Sequence, residues 1–233
     1  MATHKFIVLD TETAPLFATA NPIAKYSRVY DLGYMVCDKH GAVYERGSFV
    51  IFETYANTDM MLSAYYADKL PQYDRDILAG ERAVVTCEEA RAIIRDAVER
   101  WSVRTVWAYN ARFDRDALNA TAQAYDGADF LPECVRVRDI WDATGATICA
   151  TKKFVYFCRE NNYMTAKGNP STTAEVVYRY LQNDTAFVEQ HTALCDCEIE
   201  FEILRRVYRR KRRMPATMGQ GWRKAASINK ATA

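Results

Sequence analysis

This chain of 233 residues is poor in the residues that build closed metal or disulfide frameworks. It has three histidines, and its seven cysteines form no Cys-x-x-Cys pair. A disulfide scaffold would leave one cysteine over, and a zinc site would lack its usual ligand spacing, so reduced thiols in a cytoplasmic protein are expected. Long hydrophobic runs are missing as well. No apolar stretch approaches the roughly 20 residues of a membrane span. The N-terminal MATHKFIVLD has too short an apolar run, ending in acid, for a signal-peptide layout. Internal repeats and low-complexity tracts are also absent, and no membrane partner is expected.

What is present is a hydrophobic fraction of 49%, enough for a sizeable core and against global disorder. The net charge of +1 hides an asymmetry: from Arg205 onward there are ten Lys/Arg and no acid, so the remainder carries a balance of −9. Residues 204–213, LRRVYRRKRR, concentrate seven of those charges. Such a run either holds nucleic-acid phosphates through counterion release or is a solvated helix end favoured by its dipole. Residues 1–213 are expected to form a single domain, and residues 214–233, rich in Gly, Ala, Ser and Lys, a basic, flexible tail.

Hydrophobic patterning predicts strands over residues 6–10, 29–36 and 43–52, the last two joined by the turn signal Asp38-Lys39-His40-Gly41. Residues 59–79 read as helical pieces interrupted at Pro71. Thr86-Cys87-Glu88-Glu89 is a capping box for a helix reaching about Trp101, whose apolar positions share one stripe. A short strand over 105–109 leads to Asn110, a helix cap, and a helix to about Tyr125. A last strand is expected at 135–137, then helices over 139–147, 153–161, 173–181 and 193–213. Thr172 and Glu175 have capping-box spacing for the third of these. In the fourth, Leu194, Cys197, Phe201, Leu204 and Tyr208 form the buried stripe, leaving Asp196 and Glu200 off it. Three successive strands followed by strand–helix alternation imply an α/β protein with a mixed sheet flanked by helices.

Against this frame, three clusters carry chemistry. In FIVLDTETAP, Asp10 and Glu12 are two apart on a strand and face the same side. Paired carboxylates repel unless a cation or shared proton relieves them, and oxygen ligands suit Mg²⁺ or Mn²⁺. An Asp-x-Glu is common by chance; Asp196-Cys197-Glu198 is a second one in this chain. In VWAYNARFDRDAL, Asp114 falls in the first turn of a helix, a placement that dipoles alone favour, and Asp116 competes with it on spacing. In EQHTALCDCEIEFEIL, His191 stands at the entry to the last long helix, ahead of Asp196. His4 and His40 occupy plain terminal and turn contexts. A near-neutral base beside a carboxylate cage is what metal-assisted hydrolysis needs.

Asp10-Thr11-Glu12-Thr13, Asn110-Ala111-Arg112-Phe113-Asp114 and His191 with Asp196 together resemble the three motifs of the DEDDh 3′→5′ exonucleases, in order and in placement. The general look is that of stand-alone exonucleases of bacteria and their phages. The resemblance implies a ribonuclease H-like α/β fold with a central five-stranded mixed sheet whose first three strands are antiparallel. It also implies two Mg²⁺ or Mn²⁺ ions held by Asp10, Glu12, Asp114 and Asp196, with His191 taking the proton of the attacking water. The substrate would be the 3′ end of DNA, single-stranded by expectation, with RNA as the alternative, and the product a nucleoside 5′-monophosphate. Substrate contacts are expected from Thr11, Thr13, Asn110 and Phe113, and from Leu16 and Phe17 against the terminal base. A non-catalytic nucleic-acid-binding or polymerase-associated module of the same fold is the competing class.

Overall fold

The structure, a computed structural model, describes residues 3–16, 23–210 and 214–232. The expected Phe17 contact lies outside the described residues. The chain opens with β1 (Lys5–Pro15), β2 (Ser27–Asp38) and β3 (Val43–Ile51), an antiparallel meander. Asp38 closes the β2–β3 turn by accepting hydrogen bonds from the amides of His40, Gly41 and Ala42. The short helices α1 (Phe52–Tyr55), α2 (Thr58–Leu62) and α3 (Leu70–Leu78) follow. Pro71 starts α3 rather than breaking a helix, because a first-turn position has no amide to lose.

Next come β4 (Ala83–Val85), α4 (Cys87–Arg100), β5 (Thr105–Ala108), α5 (Ala111–Tyr125) and β6 (Arg136–Asp139). The capping box on α4 forms as expected. The chain ends in α6 (Ile140–Gly145), α7 (Lys152–Glu160), α8 (Ala174–Gln182), α9 (Ala193–Arg210) and α10 (Trp222–Ala231). The cap of α8 is Thr173, not Thr172.

The sheet has six strands in the order β4-β3-β2-β1-β5-β6, one more than the expected five. The addition is β4, three residues paired parallel to the β3 end, too short to show a period in sequence. One face of the sheet packs on α4 and α5 around Ile7, Leu9, Val36, Ile94 and Leu118. The other packs on α6 to α10 around Phe6, Val8, Trp107, Phe154 and Leu204. These are the two faces of β1 read by the alternation of Phe6, Ile7, Val8 and Leu9.

The C-terminal segment departs from the flexible tail expected over 214–233. Residues 222–231 are helical, and Ala225 is fully buried against the α6–α9 core. Arg159 of α7 holds α10 through Asn229 Oδ1 at 3.0 Å and the Asn229 carbonyl at 2.8 Å. The amides of Gly219 and Gln220 donate to Asp139 and Asp142. Ala, Arg and Lys are strong helix formers, so a segment that looked merely small and basic folds once a partner surface exists.

Candidate active site

β1 extends past Asp10 because its antiparallel neighbour keeps pairing: Asp10 faces Gly33 and Glu12 faces Asp31 across β2. The acids therefore sit inside a strand, not at its end as expected. On the other side, β5 pairs with β1 only at Ile7 and Val8, so Asp10 and Glu12 lie just beyond the carboxyl edge of the parallel strands. Ligands gather at such an edge in α/β sheets. A register shift between Glu12 and Thr13 bends the strand there.

The chain turns from β5 into α5 at Asn110, whose backbone is left-handed at φ 64. Its side chain makes no cap hydrogen bond, contrary to the expected role; its amide instead donates to Asp139 at 3.2 Å. This turn delivers Asp114, 4% exposed, to the back of β1, where Thr11 Oγ1 donates to it at 2.8 Å. Asp116 points away and pairs with Arg115 at 2.7 Å. The two aspartates thus differ in burial, and Thr11 is bonded to Asp114. Phe113 packs partly into the α4–α5 core, Thr13 is buried, and Leu16 is 36% exposed at the β1 end.

α9 brings the third cluster. Gly33 is what lets it close: a Cβ there would lie 2.4 Å from the Ala193 carbonyl carbon. Asp31 then accepts the Ala193 amide at 3.0 Å, fixing the first turn of α9 and hence Asp196. His191, left-handed at φ 51, stacks on Tyr66 with ring centroids 4.4 Å apart and planes 13° from parallel. Its Nδ1 lies 3.8 Å from Glu189 and 4.0 Å from Asp196. Ligand atoms of Glu12, His191 and Asp196 all fall within 4.8 Å of one another.

Glu200, one turn beyond Asp196, was left without a role by sequence reasoning. It is 2% exposed and accepts the Tyr109 amide at 3.2 Å. Its place off the apolar stripe of α9 was the available signal; the stripe's edge faces Asp10, not solvent. Glu189 is likewise drawn in.

The electrostatics follow from crowding acids in a dry cleft. Burial raises Asp10 well above the carboxylate range, and Glu200, Asp114, Asp196 and Glu12 add to it. Glu12 and Asp196 are raised by burial first and by neighbouring acids next, with Lys69 opposing. Burial also raises Asp114, against the Thr11 hydrogen bond. Glu200 rises for the same reasons as Asp10, and burial pushes Glu189 up to about 7. His191 goes the other way: burial and then Lys69 lower it, with Glu175 and Asp68 opposing. Asp196 Oδ1 is buried with no hydrogen-bond partner. An orphaned carboxylate oxygen amid mutually repelling acids fits a hard divalent cation, which supplies both the charge and the missing contact.

The basic run is only partly available. Arg205 and Arg206 both pair with Glu202, and residues 211–213 lie outside the described residues.

No family model and no curated protein matches this chain. Solved structures do share its fold. E. coli exonuclease I in complex with a 5cy-dT13 oligonucleotide aligns over 89% of this chain and 41% of its own, at TM-score 0.57 and 16% identity. The zinc-bound form of the E. coli ExoI–ssDNA complex aligns over 88% and 40%, at TM-score 0.55 and 16% identity. An apo exonuclease I aligns over 90% and 43%, at TM-score 0.56 and 16% identity. The chain spans about two fifths of the length of these structures. At this identity the likeness establishes a ribonuclease H-like α/β fold of the exonuclease I type. Among the described residues, no helix is long and apolar enough to cross a membrane.

Proposed function

We propose that this protein is a 3′→5′ exonuclease that depends on Mg²⁺ or Mn²⁺ and releases nucleoside 5′-monophosphates from single-stranded DNA, acting in the cytoplasm. One observation carries the reading: buried, mutually repelling acids from β1, α5 and α9 converge with His191. This happens in a fold shared with structures of exonuclease I bound to oligonucleotides. Asp10, Glu12, Asp114 and Asp196 would hold the cations. When bound, two such ions neutralise charge on the scissile phosphate and make water a competent nucleophile at neutral pH.

The chain's own residues do the rest. Tyr66 fixes the imidazole plane by stacking, and the depressed pKa keeps His191 ready to accept a proton. Glu189 and Asp196 beside Nδ1 stabilise the imidazolium that results. Thr11 holds Asp114 in one rotamer. The Asp31–Ala193 hydrogen bond sets the height of α9 against β1. A pure binding module has no use for this arrangement, since uncompensated acids repel phosphate.

The test is a 5′-labelled oligonucleotide incubated with Mg²⁺ and then with excess EDTA. A ladder shortening from the 3′ end that stops on chelation is expected. Uncut substrate, or cutting that persists in EDTA, rejects the reading. The ribose counterpart of the same oligonucleotide ranks the two sugars.

A further inference from the structure

Beside the acidic cleft lies a cavity of about 640 Å³ of opposite character. Tyr109, Trp141 and Trp222 line it together with Lys167, and no Asp or Glu does. Three aromatic residues thus arrive from the β5 end, α6 and α10. Tyr109 and Trp141 lie 6.5 Å apart and 27° from parallel. Both spend their polar atoms on one residue: Tyr109 donates its hydroxyl to the Thr172 carbonyl at 2.5 Å, and Trp141 Nε1 donates to Thr172 Oγ1 at 2.8 Å. What remains toward the cavity is ring surface.

Trp222 is held at the rim, 45% exposed. Its position is built rather than incidental. A Cβ on Gly145 would lie 2.1 Å from the Gly221 carbonyl oxygen, and one on Gly221 would lie 2.4 Å from the Trp141 ring, so only glycine permits this approach. Two of the residues that line the cavity adjoin the acid cluster through the backbone. The Tyr109 amide is bonded to Glu200, and Asn110, a lining residue, directly precedes the helix that carries Asp114.

We infer that this cavity is a nucleobase-stacking subsite. An unpaired base upstream of the 3′-terminal nucleotide lies against Trp222, Trp141 and Tyr109, and Lys167 takes up an adjacent backbone phosphate. The inference rests on the nuclease reading and extends it: α10 becomes part of the substrate-binding surface. Stacking on aromatic faces tolerates any base. A cation without a neighbouring acid suits phosphate, and the volume is that of a small-molecule site. Double-stranded DNA, whose bases are already stacked on one another, cannot use it.

The experiment measures binding of a labelled oligothymidylate to the full-length protein in EDTA, where binding and cleavage separate. Abasic sites are placed one at a time along the strand. Removing one upstream base is expected to weaken binding to the wild type about tenfold, within the range of base–aromatic stacking. Trp222→Ala is expected to lose about as much, and in that variant the same abasic site should have no further effect. Trp222→Phe, which keeps a ring face, should retain most of the affinity. Lys167→Gln should lower the salt slope by about one. A flat abasic scan, or losses from Trp222→Ala and the abasic site that multiply, overturns the subsite. Metal-dependent cleavage is read separately in the wild type. Its absence would reject the nuclease reading and leave the binding result standing.

Discussion

Glu12 and Asp31 face each other across β1 and β2, yet one is compensated and the other is not. Asp31 is fully buried and accepts from Arg82 at 2.6 Å, Tyr73 at 2.6 Å and the Ala193 amide at 3.0 Å. Arg82 also stacks on Tyr73. Glu12, 9% exposed, is surrounded by other acids, with Lys69 as the opposing charge. A structural charge is neutralised within the chain; the charges of the cleft are left for something outside it. The two residues are paired across the strands and both are buried, Asp31 the more so, and they differ most in their partners. Folding alone gives no reason to bury acids unpaired, and their cost in stability is what a functional site imposes.

The largest effect should come from the uncompensated side. Asp10→Ala removes the acid that all the others crowd, and with it several kcal/mol of charge stabilisation in the transition state, so kcat should fall on the order of 10³-fold. A thermal melt should show the variant folded and at least as stable as the wild type without metal. Near-normal turnover in Mg²⁺ would remove Asp10 from the mechanism. On the compensated side, Arg82→Met leaves Asp31 buried with its charge unmatched. That should destabilise the fold by about 3–5 kcal/mol, measured by urea unfolding. A neutral effect would mean that Tyr73 and Ala193 suffice, and the contrast between the acids would shrink to one of degree.

This contrast also explains what was legible in the sequence. The three clusters stand out in the sequence because their residue types and spacing are local facts, although the first proves to lie inside β1 and not at a strand end. Asp114 could not be separated from Asp116 by spacing, since both lie near the same turn; only the Thr11 contact across the sheet distinguishes them. Glu200 was missed because an acid beside an apolar stripe looks solvated until β1 is packed against it. Asp31, a lone acid in a hydrophobic strand, has partners from β4's approach, α3 and α9 that no local pattern connects. The α10 helix was invisible because its stability lies in Arg159, Asp139 and Asp142, far upstream in the chain. β4 had too few residues to show a period.

Acidity offers a third way to sharpen the comparison. Burial raises Glu189 from 4.5 to about 7, and the cleft acids move in the same direction. Between those values Glu189 holds a proton in the folded chain that it would lose unfolded, so its contribution to stability falls as pH rises, while the lowered His191 opposes it in the same range. Asp38 works in the opposite sense: despite burial, its hydrogen bonds with Tyr44 and the turn amides lower it below 3.8. Its contribution is lost only in stronger acid, outside that window. Glu189 alone should therefore cost the metal-free protein about 2 kcal/mol between pH 5 and pH 8, and the other raised acids should add to that loss. Added Mg²⁺ should raise the melting temperature more at pH 8 than at pH 5, where protons hold the same oxygens. Stability that climbs across this range would mean that the cleft acids are already neutralised.

The smallest expected effect is the most direct test of the pairing between the two strands. Glu12→Gln keeps shape and removes charge, so in EDTA at pH 8 it should stabilise the fold by about 1 kcal/mol, the value of less than one unit of relieved pKa shift. The sign should invert with Mg²⁺, because the variant lacks one oxygen ligand and gains less from the ion than the wild type does. Asp31→Asn, the matched change across the strand pair, should destabilise in both conditions, since it weakens contacts to Arg82 that no ion replaces. Opposite signs in EDTA for two facing residues would locate the uncompensated charge on β1. The same sign for both would mean that Lys69 already serves Glu12 as Arg82 serves Asp31, and the cleft would then have no vacancy of charge for a cation to fill.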